Sequence, residues 1–295
     1  MRTLNLNPRT CHQMPEGDTI HRAAATLQRA IGGQVVTRFE SVLPALSRVD
    51  ADAPLRGRTI ERVEARGKHV LIWFSGDLVL RTHMRMNGSW HIYRPGERWQ
   101  RPHRDMRIVI ETAAMHAVAF TVPVAEFITA RDLLNDGVIS DLGPDPLADT
   151  FRAEDAIERI QAQGDTEVAD VLLDQRVISG IGNVFKSEVL FGARVNPFVP
   201  VSQLTQKQLE AIVDVATRFM RANVVSGFSR TGDMRRTTGR ADPSARLWVY
   251  GRAGQPCRRC GTPISRRKQG PYARSSYWCP RCQSVPEVQK APEVP

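Results

Sequence analysis

The chain has 295 residues, 41% hydrophobic and 24% charged: enough apolar material for one large or two medium cores, and too much for a disordered or fibrous protein. The net charge of +10 points to a polyanionic partner, nucleic acid before an acidic membrane surface. No run of 18 apolar residues occurs and the opening MRTLNLNPRTCHQ lacks a signal-peptide core, so the expectation is a cytoplasmic protein with no membrane partner.

A helix is predicted over Asp18–Ala30, where Ile20, Ala23, Ala24 and Leu27 form one apolar stripe and Gly32-Gly33 ends it. From Val35 the pattern shortens to strands. These are Val35–Glu40, Thr59–Arg66, His69–Phe74, Leu78–His83, Ser89–Tyr93 and Arg107–Glu111, with one or two more in Val118–Phe127. They imply a mostly antiparallel sandwich or barrel with the first helix packed on it. The segment DLGPDPLAD, Asp141–Asp149, is weakly apolar and rich in Pro and Asp, and marks the best domain boundary.

Beyond it the period is helical: Glu154–Gln163, Glu167–Leu173, Asn183–Gly192 and Thr205–Val225, the last with caps on offer in Ser202–Gln206. Between two of these, Gly180-Ile-Gly-Asn183 permits a tight turn whose exposed N–H groups, beside a helix N-terminus, suit a phosphate. Leu172–Gln175 reads as helix rather than strand, which removes the dinucleotide-binding alternative. Gly227–Pro243 reads as a basic loop, and the tail after Ser284 is unpatterned. The domain expectation is 1–14 as an extension or mis-assigned start, 15–140 as the sandwich, 141–153 as linker, 154–243 as the helical part with its basic loop, 244–284 as a finger, and 285–295 as tail.

Five cysteines are too few for a disulfide scaffold, but four stand in two pairs. Cys257 and Cys260, then Cys279 and Cys282, give C-x2-C, an 18-residue gap and C-x2-C. Each pair can place two thiolates on one ion, and two pairs complete a tetrahedron. The segment is too short and polar for a hydrophobic core, so one structural zinc ion would supply its folding energy, with Ile264 and Tyr277-Trp278 suiting a β-hairpin in the gap. All four ligand positions are filled, which argues against a catalytic metal; Cys11 stands alone. Residues 227–282 also hold thirteen Arg or Lys against two acids, and 81–107 hold seven Arg against two. Such arginine-rich stretches suit phosphate contacts, the alternative being an ordinary solvated face.

Four ordered blocks carry a resemblance to a known family. They are Met14-Pro-Glu-Gly-Asp-Thr19, Gly67-Lys68, Asp174–Glu188 (DQRVISGIGNVFKSE) and Tyr277-Trp-Cys-Pro-Arg-Cys-Gln283. Together they resemble the formamidopyrimidine-DNA glycosylase / endonuclease VIII (Fpg/Nei) family over nearly the whole chain, with the first and last blocks closer to the endonuclease VIII branch. The resemblance implies a multidomain α+β protein: an N-terminal antiparallel β-sandwich with a helix, a helical helix–two-turn–helix domain and a zinc-finger β-hairpin. It implies a monomer acting on double-stranded DNA that carries an oxidised base, pyrimidine more than purine, or an abasic site. It implies a bifunctional enzyme in which Pro15 is the nucleophile, Glu16 the acid–base residue and Lys68 a phosphate-contacting residue that assists catalysis. Asn183 and Arg274 match the residues that hold the phosphates around the extruded nucleotide. Arg85, Met86 and Asn87 match the region that fills the vacated stack. Met86 is the best-supported of these, because it is unbranched and adaptable; the alternative places Met84 and Met86 in the core.

Fourteen residues precede Pro15. While they remain, its nitrogen is a tertiary amide with no lone pair to offer. Translation from Met14 followed by methionine removal would free it, and is the expectation. The competing readings are a non-catalytic damaged-DNA binder with a blocked Pro15, and an RNA-binding zinc protein, against which the four ordered blocks argue.

Overall fold

A computed structural model describes residues 15–225, 235–240 and 242–284. Residues 1–14, most of the basic loop and the tail 285–295 lie outside the described residues, and with them Cys11 and Met14. The chain divides into two compact units between Asp136 and Gly137.

The first unit opens with α1 (Gly17–Ile31), which buries Ile20, Ala24, Leu27 and Ile31 on one face. Then come β1 (Val36–Ser41), α2 (Pro44–Asp52), β2 (Ile60–Arg66), β3 (His69–Phe74), β4 (Leu78–His83) and β5 (Ser89–Tyr93). β6 (Met106–Thr112), β7 (His116–Phe120), β8 (Val124–Ile128) and α3 (Ala130–Asn135) complete it. Two antiparallel four-stranded sheets form, in the orders β1-β6-β7-β5 and β2-β3-β4-β8. Their facing side chains make one core: Val36, Phe39, Ile108 and Ile110 from one sheet, Ile60, Val70, Ile72 and Leu80 from the other, with the apolar stripe of α1. This is the predicted sandwich. The helix α2 escapes the sequence reading because only Leu46 of its nine residues is buried, so it carries almost no apolar stripe.

The second unit contains α4 (Gly137–Ser140), α5 (Ala153–Gln161), α6 (Val168–Val171), α7 (Asn183–Gly192) and α8 (Gln206–Val225), then the hairpin β9 (Ser265–Gln269) and β10 (Arg274–Trp278). A capping box starts α8: Thr205 Oγ1 accepts from the Gln208 N–H at 3.3 Å, and Gln208 Oε1 accepts from the Thr205 N–H at 2.9 Å. Nine of the ten residues of α7 are buried, so the other helices close around it. One expectation is corrected here. Leu172–Gln175 is not helical; α6 ends at Val171 and a turn follows. Asp174 Oδ1 accepts from the Arg176 N–H at 2.9 Å, and such a side-chain bond to the backbone competes with helix continuation. The segment is not a strand either, so the exclusion of a dinucleotide fold stands. No helix among the described residues is long and apolar enough to cross a membrane.

Candidate functional site

In the first unit, Pro15 is half-buried and Glu16 is buried, at the start of α1. Glu16 has extended backbone (φ −128°, ψ −177°), and its carbonyl accepts from the Thr19 and Ile20 N–H groups at 2.9 and 3.1 Å. The Glu16 side chain makes no cap bond to the helix. α1 packs on β2 and β3, the two strands whose connection carries Lys68. Arg66 pairs with His69, so Gly67-Lys68 is a two-residue hairpin loop. Gly67 has φ +55° while Lys68 is not in the positive-φ region, the geometry of a type II′ turn, which wants glycine first. The GK pair therefore presents Lys68 at a rigid tip.

The residues after β4 form a second turn beside this tip. His69 and His83 are cross-strand partners, their rings edge to face at 4.7 Å. Burial first, then His83 and nearby arginines, pulls His69 down to about 3. Burial first, then Arg85 and Lys68, pulls His83 down to about 4 against an opposing contact with its own backbone. Both rings are neutral at neutral pH. His83 Nδ1 accepts from the Arg85 N–H at 2.9 Å. Arg85 has φ +51°, the left-handed region. Met84 is buried, whereas Met86 is 55% exposed, so the core alternative holds for Met84 and fails for Met86. Asn87 contributes its carbonyl to the Thr121 hydroxyl at 2.6 Å.

In the second unit, Asn183 is the first residue of α7, after Gly182 at the cap position. Its Oδ1 is buried with no hydrogen-bond partner among the described residues. Gln175 organises the preceding glycine turn. Its amide donates to the Leu173 and Ile181 carbonyls at 2.9 and 3.0 Å and accepts from the Gly180 N–H at 3.0 Å. Arg274 is the exposed first residue of β10, which packs on α7. Tyr277 N–H donates to Ser187 Oγ at 3.4 Å, and Lys186 Nζ donates to the Ser275 carbonyl at 3.4 Å. Helix and hairpin are thus bonded together, with Asn183 and Arg274 on the two.

The four cysteines converge. All four Sγ atoms lie within 4.8 Å of one another, with Cys257–Cys282 at 3.9 Å and Cys260–Cys279 at 3.5 Å. A tetrahedral zinc with Zn–S bonds near 2.3 Å wants sulfurs roughly 3.8 Å apart, so the donor set fits one structural zinc ion. The fully buried Gln283 locks the second pair to the helical core. It accepts from the Cys279 N–H at 2.9 Å and donates to the Val195 carbonyl at 2.8 Å.

The basic stretches are only partly a binding surface. Arg81 is buried and paired with Glu126 and Asp136. Arg252 donates to the Trp248 and Pro256 carbonyls, Arg258 to those of Leu247 and Ser244, and Arg235 lies over the Phe185 ring. Counting Arg81, Arg252 and Arg258 as phosphate ligands is corrected: their guanidinium groups bond to internal acceptors. Arg240, Arg266, Lys268, Arg274 and Arg281 remain exposed.

Glu188 went unrecognised as an individual residue. Fully buried on α7, it accepts from the N–H groups of Trp248, Val249 and Tyr250 at 2.8–2.9 Å and from the Thr237 hydroxyl. Burial pushes its carboxyl upward, and these four donors pull it back. The available signal was an acid directly before the apolar run Val189–Phe191 of the helix, a position that demands donors from elsewhere.

A sandwich unit with a lysine-tipped hairpin is joined in the chain to a helical unit whose central helix is bonded to a four-cysteine finger. Three family models match in order: the formamidopyrimidine-DNA glycosylase N-terminal domain over residues 14–123, its H2TH domain over 142–233, and the zinc finger found in FPG and IleRS over 254–285. The chain is 38% identical over 276 residues to the probable endonuclease 8 2 of Streptomyces coelicolor, covering 92% of this chain and 95% of that one. It is 39% identical over 275 residues to endonuclease 8 2 of Mycobacterium tuberculosis, covering 92% of this chain and all of that one (100%). The fold matches Lactococcus lactis formamidopyrimidine-DNA glycosylase bound to DNA with an abasic site, at TM-score 0.77 and 23% identity, covering 92% of this chain and 100% of that one. The chain belongs to the Fpg/Nei family of DNA glycosylases/AP lyases.

Proposed function

We propose that this family member removes oxidised pyrimidines and cuts the resulting abasic strand through Pro15. Its activity is that of a bifunctional DNA glycosylase/AP lyase on double-stranded DNA with oxidised bases or abasic sites. The pyrimidine preference is supported by the endonuclease 8 relatives, the two quoted above included. With its nitrogen freed, Pro15 is a secondary amine, and α-amines titrate near pH 8, so a neutral fraction exists at neutral pH. The amine attacks C1′ of the deoxyribose and the base departs with a proton. Opening of the sugar leaves a cationic iminium. That cation accepts the electron pair released when C2′ loses its proton, so the 3′ phosphate leaves by β-elimination, and the 5′ phosphate follows by δ-elimination. Glu16, beside Pro15, is placed to move protons at the sugar. Lys68, on its glycine-set tip, contacts phosphate and assists the chemistry. Asn183 and Arg274 hold flanking phosphates, the former at a helix N-terminus where anions are favoured. Arg85, Met86 and Asn87 fill the stack that the extruded nucleotide leaves. The protein acts as a monomer in the bacterial cytoplasm, on the nucleoid.

The observation that carries this reading is the Glu16 carboxylate next to Pro15 on the helix that packs against the Lys68 hairpin. Borohydride trapping on an abasic duplex tests it, with protein begun at Met14 and at Met1 and the adduct mapped by mass. An adduct on Pro15 from the Met14 form alone is expected. No adduct from folded, zinc-loaded protein of either form removes Pro15 from the mechanism.

A further inference from the structure

We infer that His83 is a positioning residue for the stack-filling turn: its Nδ1 holds Arg85 in the left-handed conformation that exposes Met86. The inference rests on reading Arg85–Asn87 as the void-filling segment, and goes beyond it by assigning what sets the shape of that segment.

Three bonds define the turn. Gly88 N–H donates to the Met84 carbonyl at 2.9 Å, Thr121 Oγ1 donates to the Asn87 carbonyl at 2.6 Å, and Arg85 N–H donates to His83 Nδ1 at 2.9 Å. Gly88 is required by contact, since a Cβ there would lie 2.6 Å from the Met84 carbonyl oxygen. Arg85 is the anomaly: it has φ +51°, where an arginine is strained and a glycine would not be. Strain of this kind persists only where the surroundings over-determine it. The imidazole is the one side chain seen bonded to the Arg85 backbone among the described residues.

An Nδ1 that accepts must carry its ring proton on Nε2. The ring is placed for this from behind. His83 stacks edge to face on its cross-strand partner His69, next to Lys68. Burial first, then charge from Arg85 and Lys68, opposes a second proton on it, against a contact with its own backbone that favours one. The surroundings favour a neutral ring, and the Arg85 N–H at 2.9 Å assigns the bare nitrogen to Nδ1. The same strand pairing thus fixes both the hairpin that carries Lys68 and the turn that carries Met86.

Two amides separate the nitrogens. Asparagine places its oxygen close to the position of Nδ1, whereas glutamine reaches that of Nε2. The assay is single-turnover excision from a duplex carrying thymine glycol, beside strand cleavage of the same duplex with a preformed abasic site. His83→Gln is expected to slow excision about tenfold, the effect of releasing one strained residue, while cleavage at the abasic site changes less than about threefold. His83→Asn is expected to stay within about threefold on both. In an Arg85→Gly background, where the turn needs no help, His83→Gln is expected to cause no further slowing. Nitrogen NMR of the wild-type imidazole is expected to show a bare Nδ1 and a protonated Nε2 at neutral pH.

Rescue by glutamine but not asparagine overturns the inference, because Nε2 would then be the working atom. Equal slowing in both backgrounds, equal loss on both substrates, or a protonated Nδ1 also overturns it. If Met86→Ala leaves excision unchanged while the His83–Arg85 coupling persists, the void-filling reading is at fault and the positioning of the turn stands.

Discussion

Burial takes His69 to about 3 and His83 to about 4, against an ordinary value of 6.5 in the unfolded chain. Between those values the unfolded chain binds more protons than the folded one, so the stabilisation is present above pH 6.5 and is lost as pH falls through the folded values. Thermal melting should therefore weaken from about pH 6.5 down toward pH 4, and His83→Asn should flatten part of that slope; an unchanged slope rejects the buried neutral ring. Glu188 makes a different residue-scale prediction. Glu188→Ala strands three backbone N–H groups and the Thr237 hydroxyl, with an expected loss of about 3 kcal/mol or more in denaturant unfolding. Glu188→Gln should lose less, because its oxygen still accepts on one side.

At the scale of elements, the β2–β3 hairpin and the finger each depend on one local device. Gly67→Val forces a branched residue into φ +55°, which costs about 1–2 kcal/mol and displaces Lys68. Base excision should fall toward the level of Lys68→Ala, which as an assisting residue is expected to lose about 100-fold in base excision with little change in duplex binding. Equal loss of binding and excision in Lys68→Ala would sink its catalytic part. Among the described residues the finger's apolar cluster is small, Val249, Ile264 and the cysteines with half-buried Trp248 and Tyr277 against Phe191, so its fold depends on the ion. Cys279→Ser should release zinc and weaken DNA binding more than tenfold, roughly, with the far-ultraviolet signal of the helices kept. Retained metal in that variant would reject the four-cysteine site.

For the whole molecule, only part of the +10 charge is available to phosphate. Arg274→Ala should lower duplex affinity evenly across sequences and reduce the slope of log K against log salt by about one contact. Arg252→Ala should instead destabilise the fold and leave the slope unchanged, since its guanidinium is spent on the Trp248 and Pro256 carbonyls. The same division explains what could be read in advance. Strands β3, β4 and β5 and helix α7 fall on the predicted residues, because local period and flanking Gly or Asp define them. The cysteine quartet was legible from its spacing alone, whereas the other candidate residues were readable only through the resemblance of short blocks at turns and helix starts. The arginines were not sorted correctly, because their acceptors come from distant segments; Arg81 finds Glu126 and Asp136 only once β4 and β8 pair. The part played by His83 is hidden from the sequence for the same reason: its bond is to the backbone of a turn whose shape has no local sequence code.

The near-total burial of α7 also bears on how such proteins diversify. A helix with nine of ten residues enclosed offers no free face on which substitutions can accumulate quietly. Change in the second unit is therefore channelled to exposed turns, such as the β9–β10 connection, where Tyr272 stands 82% open.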